Sequence, residues 1–194
     1  MLTTYPKFAM QVETLDRRAI AEPDLRAIAE LLDKVFTKRG VEVRMQRLAE
    51  EWQQYTGPEA MYPRSFVIRE NGRPVAHAAA LPRVIGTSEG DLTVVGLVHV
   101  CTDPDARGHK LGQAVVRAAF DLVDHGPYGH ALFQTSNSVR GFYEKLGAGV
   151  VANRIINSTS ADPYKNPFWD DVVMRYPAAK HWPAGDIDLR SPGW

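Results

Sequence analysis

Between residues 23 and 36, apolar side chains recur at Leu25, Ile28, Leu31, Leu32, Val35 and Phe36, the three-and-four spacing of one helical face. Pro23 suits a first turn and Gly40 follows closely, so a helix is predicted there. A second helix is predicted over about 43–55, with Met45, Leu48, Trp52 and Tyr55 on one face, charge on the other, and Gly57-Pro58 as its stop. The period then changes to that of strands. Residues 65–69 read as a strand, Asn71-Gly72 as a two-residue hairpin turn, and 73–85 as a longer strand. A polar turn over 86–91 leads into 92–102, an apolar run too continuous for a half-exposed strand and therefore expected at the centre of a sheet.

Helical spacing returns at Leu111, Val115, Ala118, Ala119, Leu122 and Val123, and Gly126-Pro127 ends it. A short strand is predicted at 131–134. A helix follows over 137–146, with Val139, Phe142, Tyr143 and Leu146 on one face and Gly147 as its cap, and a last strand over 171–176. This order implies an α/β chain with a mixed sheet and helices on both faces. The 194 residues show no repeat, low-complexity tract or linker, so one domain is expected, with a core over about 10–177 and a tail over 178–194.

With 23 basic and 23 acidic residues the formal net charge is zero, which argues against a nucleic-acid or membrane partner. The single cysteine, Cys101, excludes an internal disulfide and fits a reducing compartment. The first residues lack a secretory pattern and no stretch approaches the roughly 18 apolar residues of a membrane span, so a cytoplasmic protein is expected.

The most informative segment runs from Val98 to Gly112: an apolar strand enters a glycine-bearing turn that opens directly into a helix. The first N–H groups of a helix have no partners within it and carry the positive end of its dipole, so such a turn is a cradle for an anion such as pyrophosphate. The residues do not spell Gly-x-Gly-x-x-Gly or Gly-x4-Gly-Lys-Ser/Thr, which sets aside the dinucleotide and nucleoside-triphosphate loops.

Arg107-Gly108-His109-Lys110-Leu111-Gly112 resembles the Gln/Arg-x-x-Gly-x-Gly/Ala signature of the GCN5-related N-acetyltransferase (GNAT) superfamily. Lys110 stands where a glycine is usual. A second block, from Asn137 to Gly147, resembles that superfamily's Asn-x-x-(Ala/Arg)-x-x-(Phe/Leu)-Tyr-x-Lys-x-Gly-Phe helix, and the two blocks together are far more specific than either alone. More loosely, His77-Ala78-Ala79 and a tail ending in tryptophan are similar to aminoglycoside 2'-N-acetyltransferases, and 182–185 to the tail of nodulation N-acyltransferases.

The resemblance implies the GNAT fold and an acyl-CoA-dependent, chiefly acetyl-CoA-dependent, N-acyltransferase. It would act by direct transfer to a primary amine of a small molecule or peptide, without a metal, and as a homodimer. A non-catalytic acyl-CoA-binding sensor is the alternative. Implied coenzyme contacts are Val100, Cys101 and Thr102 on the strand, then Arg107, Gly108, His109, Lys110, Leu111, Gly112 and Gln113 in the cradle, with Asn137 and Arg140 on the later helix. Arg107 suits either a phosphate or local carbonyls.

Tyr143 matches the position of the superfamily's acid for the departing thiolate. The strand glutamate that serves many relatives as base is missing, since none lies between Leu92 and Thr102. His99 is the best substitute, because histidine titrates near neutral pH, and His77 on the neighbouring strand is a weaker one. Cys101 is expected to pack in the core rather than act as a nucleophile. Trp169, Trp182 and Trp194, with Asp186 and Asp188, suggest either a flap over a cationic acceptor or a packed terminal segment.

Overall fold

The computed structural model describes residues 11–36, 38–53, 55 and 57–194. In chain order the elements are β1 (Glu13–Asp16), α1 (Glu22–Val35), α2 (Val41–Gln53), β2 (Arg64–Glu70), β3 (Arg73–Thr87), β4 (Gly90–Thr102), α3 (Leu111–Asp124), β5 (His130–Thr135), α4 (Asn137–Glu144), β6 (Gly149–Val150), β7 (Ile155–Ile156), β8 (Val172–Tyr176) and β9 (Ile187–Asp188). The strands pair in the order β1-β2-β3-β4-β5-β8-β6, and β9 pairs with β3 and β7. Pairing is antiparallel for β1-β2, β2-β3, β5-β8 and β6-β8, and parallel for β4-β5 and β7-β9. The result is a mixed, largely antiparallel sheet with flanking helices, as the sequence order implied. No helix among the described residues is long and apolar enough to cross a membrane.

Two compact units make up the chain: residues up to Ala80 with His99–Ala119, and Leu81–Val98 with Phe120–Trp194. In the first, Ile28, Leu31 and Leu32 of α1 and Leu48 of α2 close a core with Val67 of β2 and Cys101 of β4. Pro23 lies in the first turn of α1 with Glu22 and Asp24, and Lys34 lies in its last turn, so both ends complement the helix dipole. The Trp52 side chain lies outside the described residues. The β2-β3 turn has Asn71 at φ +50° and Gly72 at φ +79°, the pair of left-handed residues that a two-residue hairpin requires.

The second unit is centred on Ile85, Val94, Leu132, Val173, Ile187 and Leu189. Ile187 and Leu189 belong to the tail, and Trp182 and Trp194 pack against the same cluster. Trp194 donates from Nε1 to the Leu132 carbonyl at 3.2 Å and lies edge-on to Phe168, with ring centroids 5.2 Å apart. Gly96 of β4 makes room for it, because a Cβ there would come within 2.9 Å of the Trp194 indole nitrogen. Trp182 is likewise tied by its Nε1 to Asn153 at 2.9 Å. These two tryptophans are therefore built into a core, whereas Trp169 is exposed. Trp194→Ala is expected to cost about 2 kcal/mol of stability, measured by denaturant unfolding, as a half-buried aromatic leaves a partial cavity.

Candidate active site

The cradle is built within the first unit. β4 extends to Thr102, and its parallel ladder with β5 covers Val94–Gly96, so Val100–Thr102 lie beyond that ladder. A single 3-10 turn at Pro104–Ala106 follows, capped by the Asp103 carboxylate, which accepts from the Asp105 amide. Asp103 and Asp105 are both held by Lys34 of α1, at 2.7 and 2.8 Å. Burial alone would push the Asp103 carboxyl upward, but the hydrogen bonds from Lys34 and the Asp105 amide, with the charges of Lys34 and Arg107, together outweigh it and hold the carboxyl below its ordinary value. Lys34 thus offsets two negative charges beside the candidate anion cradle.

Gly108 then turns at φ +86° and Lys110 at φ +60°. Leu111 anchors the start of α3 in the core, while Arg107, Gly108, His109, Lys110 and Gln113 are exposed. The α3 ladder begins with the Ala114 amide on the Lys110 carbonyl, so the amides of 111–113 precede it, and no acidic residue lies in this first turn. Gly112 is fixed by space: a Cβ there would sit 3.0 Å from Thr102 Oγ1. Lys110 keeps the left-handed backbone that a glycine would adopt freely, at a cost of about 1–2 kcal/mol for a residue with a Cβ.

Next to the cradle, β4 carries a second feature. His99 has φ +54°, uncommon for a residue with a side chain and often seen where function constrains the backbone. Its carbonyl is bonded by His77 Nδ1 at 2.9 Å, and His77 Nε2 meets Ser65 Oγ at 3.0 Å. A carbonyl only accepts, so His77 carries its proton on Nδ1 and its lone pair is taken by the Ser65 hydroxyl. His77 is fully buried, and burial pushes its pKa down to about 3. The weaker base candidate is therefore a neutral structural residue with its one lone pair engaged. Cys101 is also buried, and burial pushes its thiol up to about 12, so it packs rather than reacts.

Neutral His77 makes stability depend on acid. Its native pKa is lowered, so its contribution is complete above about pH 6.5 and is lost as pH falls toward 3. His130 on β5, lowered to about 4 by burial and then by the charges of Lys180 and Arg175, acts in the same direction. Unfolding free energy should therefore fall by about 1.4 kcal/mol per pH unit for each histidine inside its window. His77→Gln, which can keep both hydrogen bonds, should flatten that fall in denaturant titrations at pH 7 and pH 5.

The His99 ring reaches the other way, from Nε2 to both carboxylate oxygens of Glu51 on α2, at 3.2 and 3.3 Å. Glu51 in turn meets Nη2 of buried Arg17 at 3.4 Å. These two residues were missed in the sequence. The only available signal for Glu51 was the charged face of α2, which reads first as solvated surface, and Arg17 lies in a short charged segment without periodicity.

In the second unit, α4 starts after Ser136, and Asn137 donates to Asp171 at 3.3 Å. Arg140 pairs with Glu144 at 2.6 Å on the exposed side. Tyr143 is buried, its ring 4.6 Å from that of Phe133 and 4.9 Å from that of Phe142, centroid to centroid. Burial, then the charge of Asp170, pushes its ionisation upward, which keeps the phenol protonated. Val139, expected on the packed face, is exposed. Among the described residues no group of three or more His, Cys, Asp or Glu side chains is placed to hold a metal.

The family model for an acetyltransferase (GNAT) domain matches residues 16–151. The chain belongs to the GNAT family. Among solved structures, the GNAT-family N-acetyltransferase YhbS of Escherichia coli, in complex with CoA, aligns at 17% identity with TM-score 0.63, over 96% of this chain and 92% of that one. E. coli ElaA aligns at 18% identity with TM-score 0.55, over 85% and 97%. A probable N-acyltransferase from Enterococcus faecalis aligns at 13% identity with TM-score 0.57 over 71% of this chain, which spans only 32% of that protein. At these identities the structures establish the shared GNAT fold. No curated protein matches the sequence. Within the GNAT signature, the glycine-to-Lys110 change leaves the left-handed turn in place.

Proposed function

We propose that this GNAT protein transfers an acyl group, acetyl in the first instance, from acyl-CoA directly to a primary amine of a small molecule or peptide. The observation that carries this is the cradle. Left-handed turns at Gly108 and Lys110 deliver the chain to a helix start free of acidic residues, immediately after a strand whose last residues lie beyond its ladder with β5. The amides of 111–113, with the cations of Arg107 and Lys110 nearby in sequence, suit a pyrophosphate, and the backbone of Val100–Thr102 suits the amide-bearing arm of the coenzyme. The CoA bound to YhbS supports the same ligand class here.

Acyl transfer then needs a proton removed from the acceptor ammonium and one supplied to the leaving thiolate. His99 removes the first: it is 27% exposed and lies on the strand that enters the cradle. Tyr143 supplies the second, as a phenol that stays protonated at neutral pH. Asn137 and Arg140 lie on the same helix as Tyr143 and are the remaining coenzyme contacts. The missing strand glutamate is the one feature that favours a binding-only sensor, and the carboxylate that Glu51 brings to His99 supports the catalytic reading instead.

Calorimetric titration with coenzyme A, followed by thiol release from acetyl-CoA across an amine panel, tests the proposal. Binding with amine-dependent thiol release supports it. Binding without release would leave the sensor alternative, and no binding would reject both.

A further inference from the structure

We propose that Glu51 is a positioning residue for His99, holding its Nε2 as an N–H so that Nδ1 is the nitrogen that takes the acceptor's proton. This deepens the acyl-transfer reading above and rests on it. An ionised carboxylate only accepts hydrogen bonds, and both oxygens of Glu51 lie 3.2–3.3 Å from Nε2. A neutral imidazole has one N–H and one lone pair, so this contact fixes the tautomer and leaves the lone pair on Nδ1. The same logic orients the base of a Ser-His-Asp triad, where a carboxylate acts through the imidazole and not on the substrate.

Both parts of His99 are held. Glu51 holds the ring. His77 holds the backbone, its Nδ1–H donated to the His99 carbonyl within the left-handed stretch of β4, and is itself seated on Ser65. Glu51 is fixed in its turn by Arg17, a guanidinium with no exposed side-chain surface. The hydrogen bonds and ion pairs around His99 thus join Glu51 from α2, Arg17 from the segment between β1 and α1, which meets Glu51, and neutral His77 from β3. Of these, only Glu51 meets its ring. A second carboxylate role is thereby supplied from a helix distant in sequence, where the strand itself offers none.

The acceptor ammonium gives one proton to His99 Nδ1, and the imidazolium formed is stabilised by the Glu51 carboxylate. The freed nitrogen lone pair makes the C–N bond to the thioester carbonyl; as the C–S bond breaks, the thiolate takes its proton from Tyr143, and the nitrogen sheds its second proton, which restores the Tyr143 phenol and leaves the neutral amide. His99 returns its proton to solvent, and no oxidant, reductant or metal enters.

Steady-state kinetics of wild type, Glu51→Gln, His99→Gln and the double variant test this, with coenzyme affinity and thermal melting measured for each. Glu51→Gln should lower kcat about 10- to 100-fold with the Kd for coenzyme A unchanged. His99→Gln should lower it further, and the double variant should match His99→Gln, because a residue that acts through another has nothing left to contribute. Should Glu51→Gln fail to fold with Arg17 buried, the same cycle on an Arg17→Met background removes the buried charge and gives the same comparison. Losses that multiply, or a Glu51→Gln variant weaker than His99→Gln, would overturn the assignment while leaving acyl transfer intact. A wild-type protein that releases no thiol with any amine would overturn both.

Discussion

Gln113→Glu is expected to weaken coenzyme A binding about a hundredfold while leaving the fold at least as stable. Gln113 is the third residue of α3 and is exposed, in a first turn without acidic residues. A glutamate there is favourable for the isolated helix, by about 0.3–1 kcal/mol, because it meets the positive end of the dipole. The same charge competes with a pyrophosphate for that end. One negative charge about 5 Å from a doubly negative group costs about 2–3 kcal/mol at an effective dielectric between water and a protein surface. Stability and function therefore move in opposite directions, which separates an anion site from an ordinary strand-to-helix turn. Calorimetry at low salt beside thermal melting is the measurement. The loss should shrink as ionic strength rises, and unchanged affinity at low salt would remove the pyrophosphate from this position.

Tyr143→Phe is expected to lower kcat about 10²- to 10⁴-fold, the range for a positioned proton donor. Phenylalanine keeps the ring packing on Phe133 and Phe142, so stability should change little. Burial favours the protonated phenol, so the donor form is the one present across neutral pH. Coenzyme affinity should be retained, since only the reacting end loses a group. Thiol release at saturating acetyl-CoA and amine measures it, and near-normal turnover would take Tyr143 out of the mechanism.

Much of the architecture was legible because it depends on long periodic segments. The helical face from Leu25 to Val35 became α1, the apolar run ending at Thr102 became the strand between β3 and β5, and Asn71-Gly72 made its turn. The cradle was legible because its glycines and helix start are adjacent in sequence. What escaped was short or assembled from distant parts. β6, β7 and β9 have two residues each, too few to show alternation, and β9 exists only through its pairing with β3 and β7. The tail looked like an appendage because its prolines and tryptophans have no period, yet Ile187, Leu189, Trp182 and Trp194 pack into a core.

At the candidate site the same division holds. His99 was found as a polar residue in an apolar strand, but neither its left-handed backbone nor its partner could be read locally. Glu51 is 48 positions away and lies among other charged residues on α2, where nothing distinguishes it from solvated surface. Two histidines on adjacent strands looked like rival bases. Burial separates them: His77 is sealed from solvent between Ser65 and a carbonyl, and His99 keeps a partly exposed ring beside a carboxylate.

The most direct test of acyl transfer is to incubate the protein with acetyl-CoA labelled in its acetyl carbons and a panel of primary amines, and to follow the label by mass spectrometry. Label is expected in an N-acetylated product, formed in step with free coenzyme A and lost in His99→Gln. Tight binding of coenzyme A with the labelled thioester left intact for every amine would contradict acyl transfer.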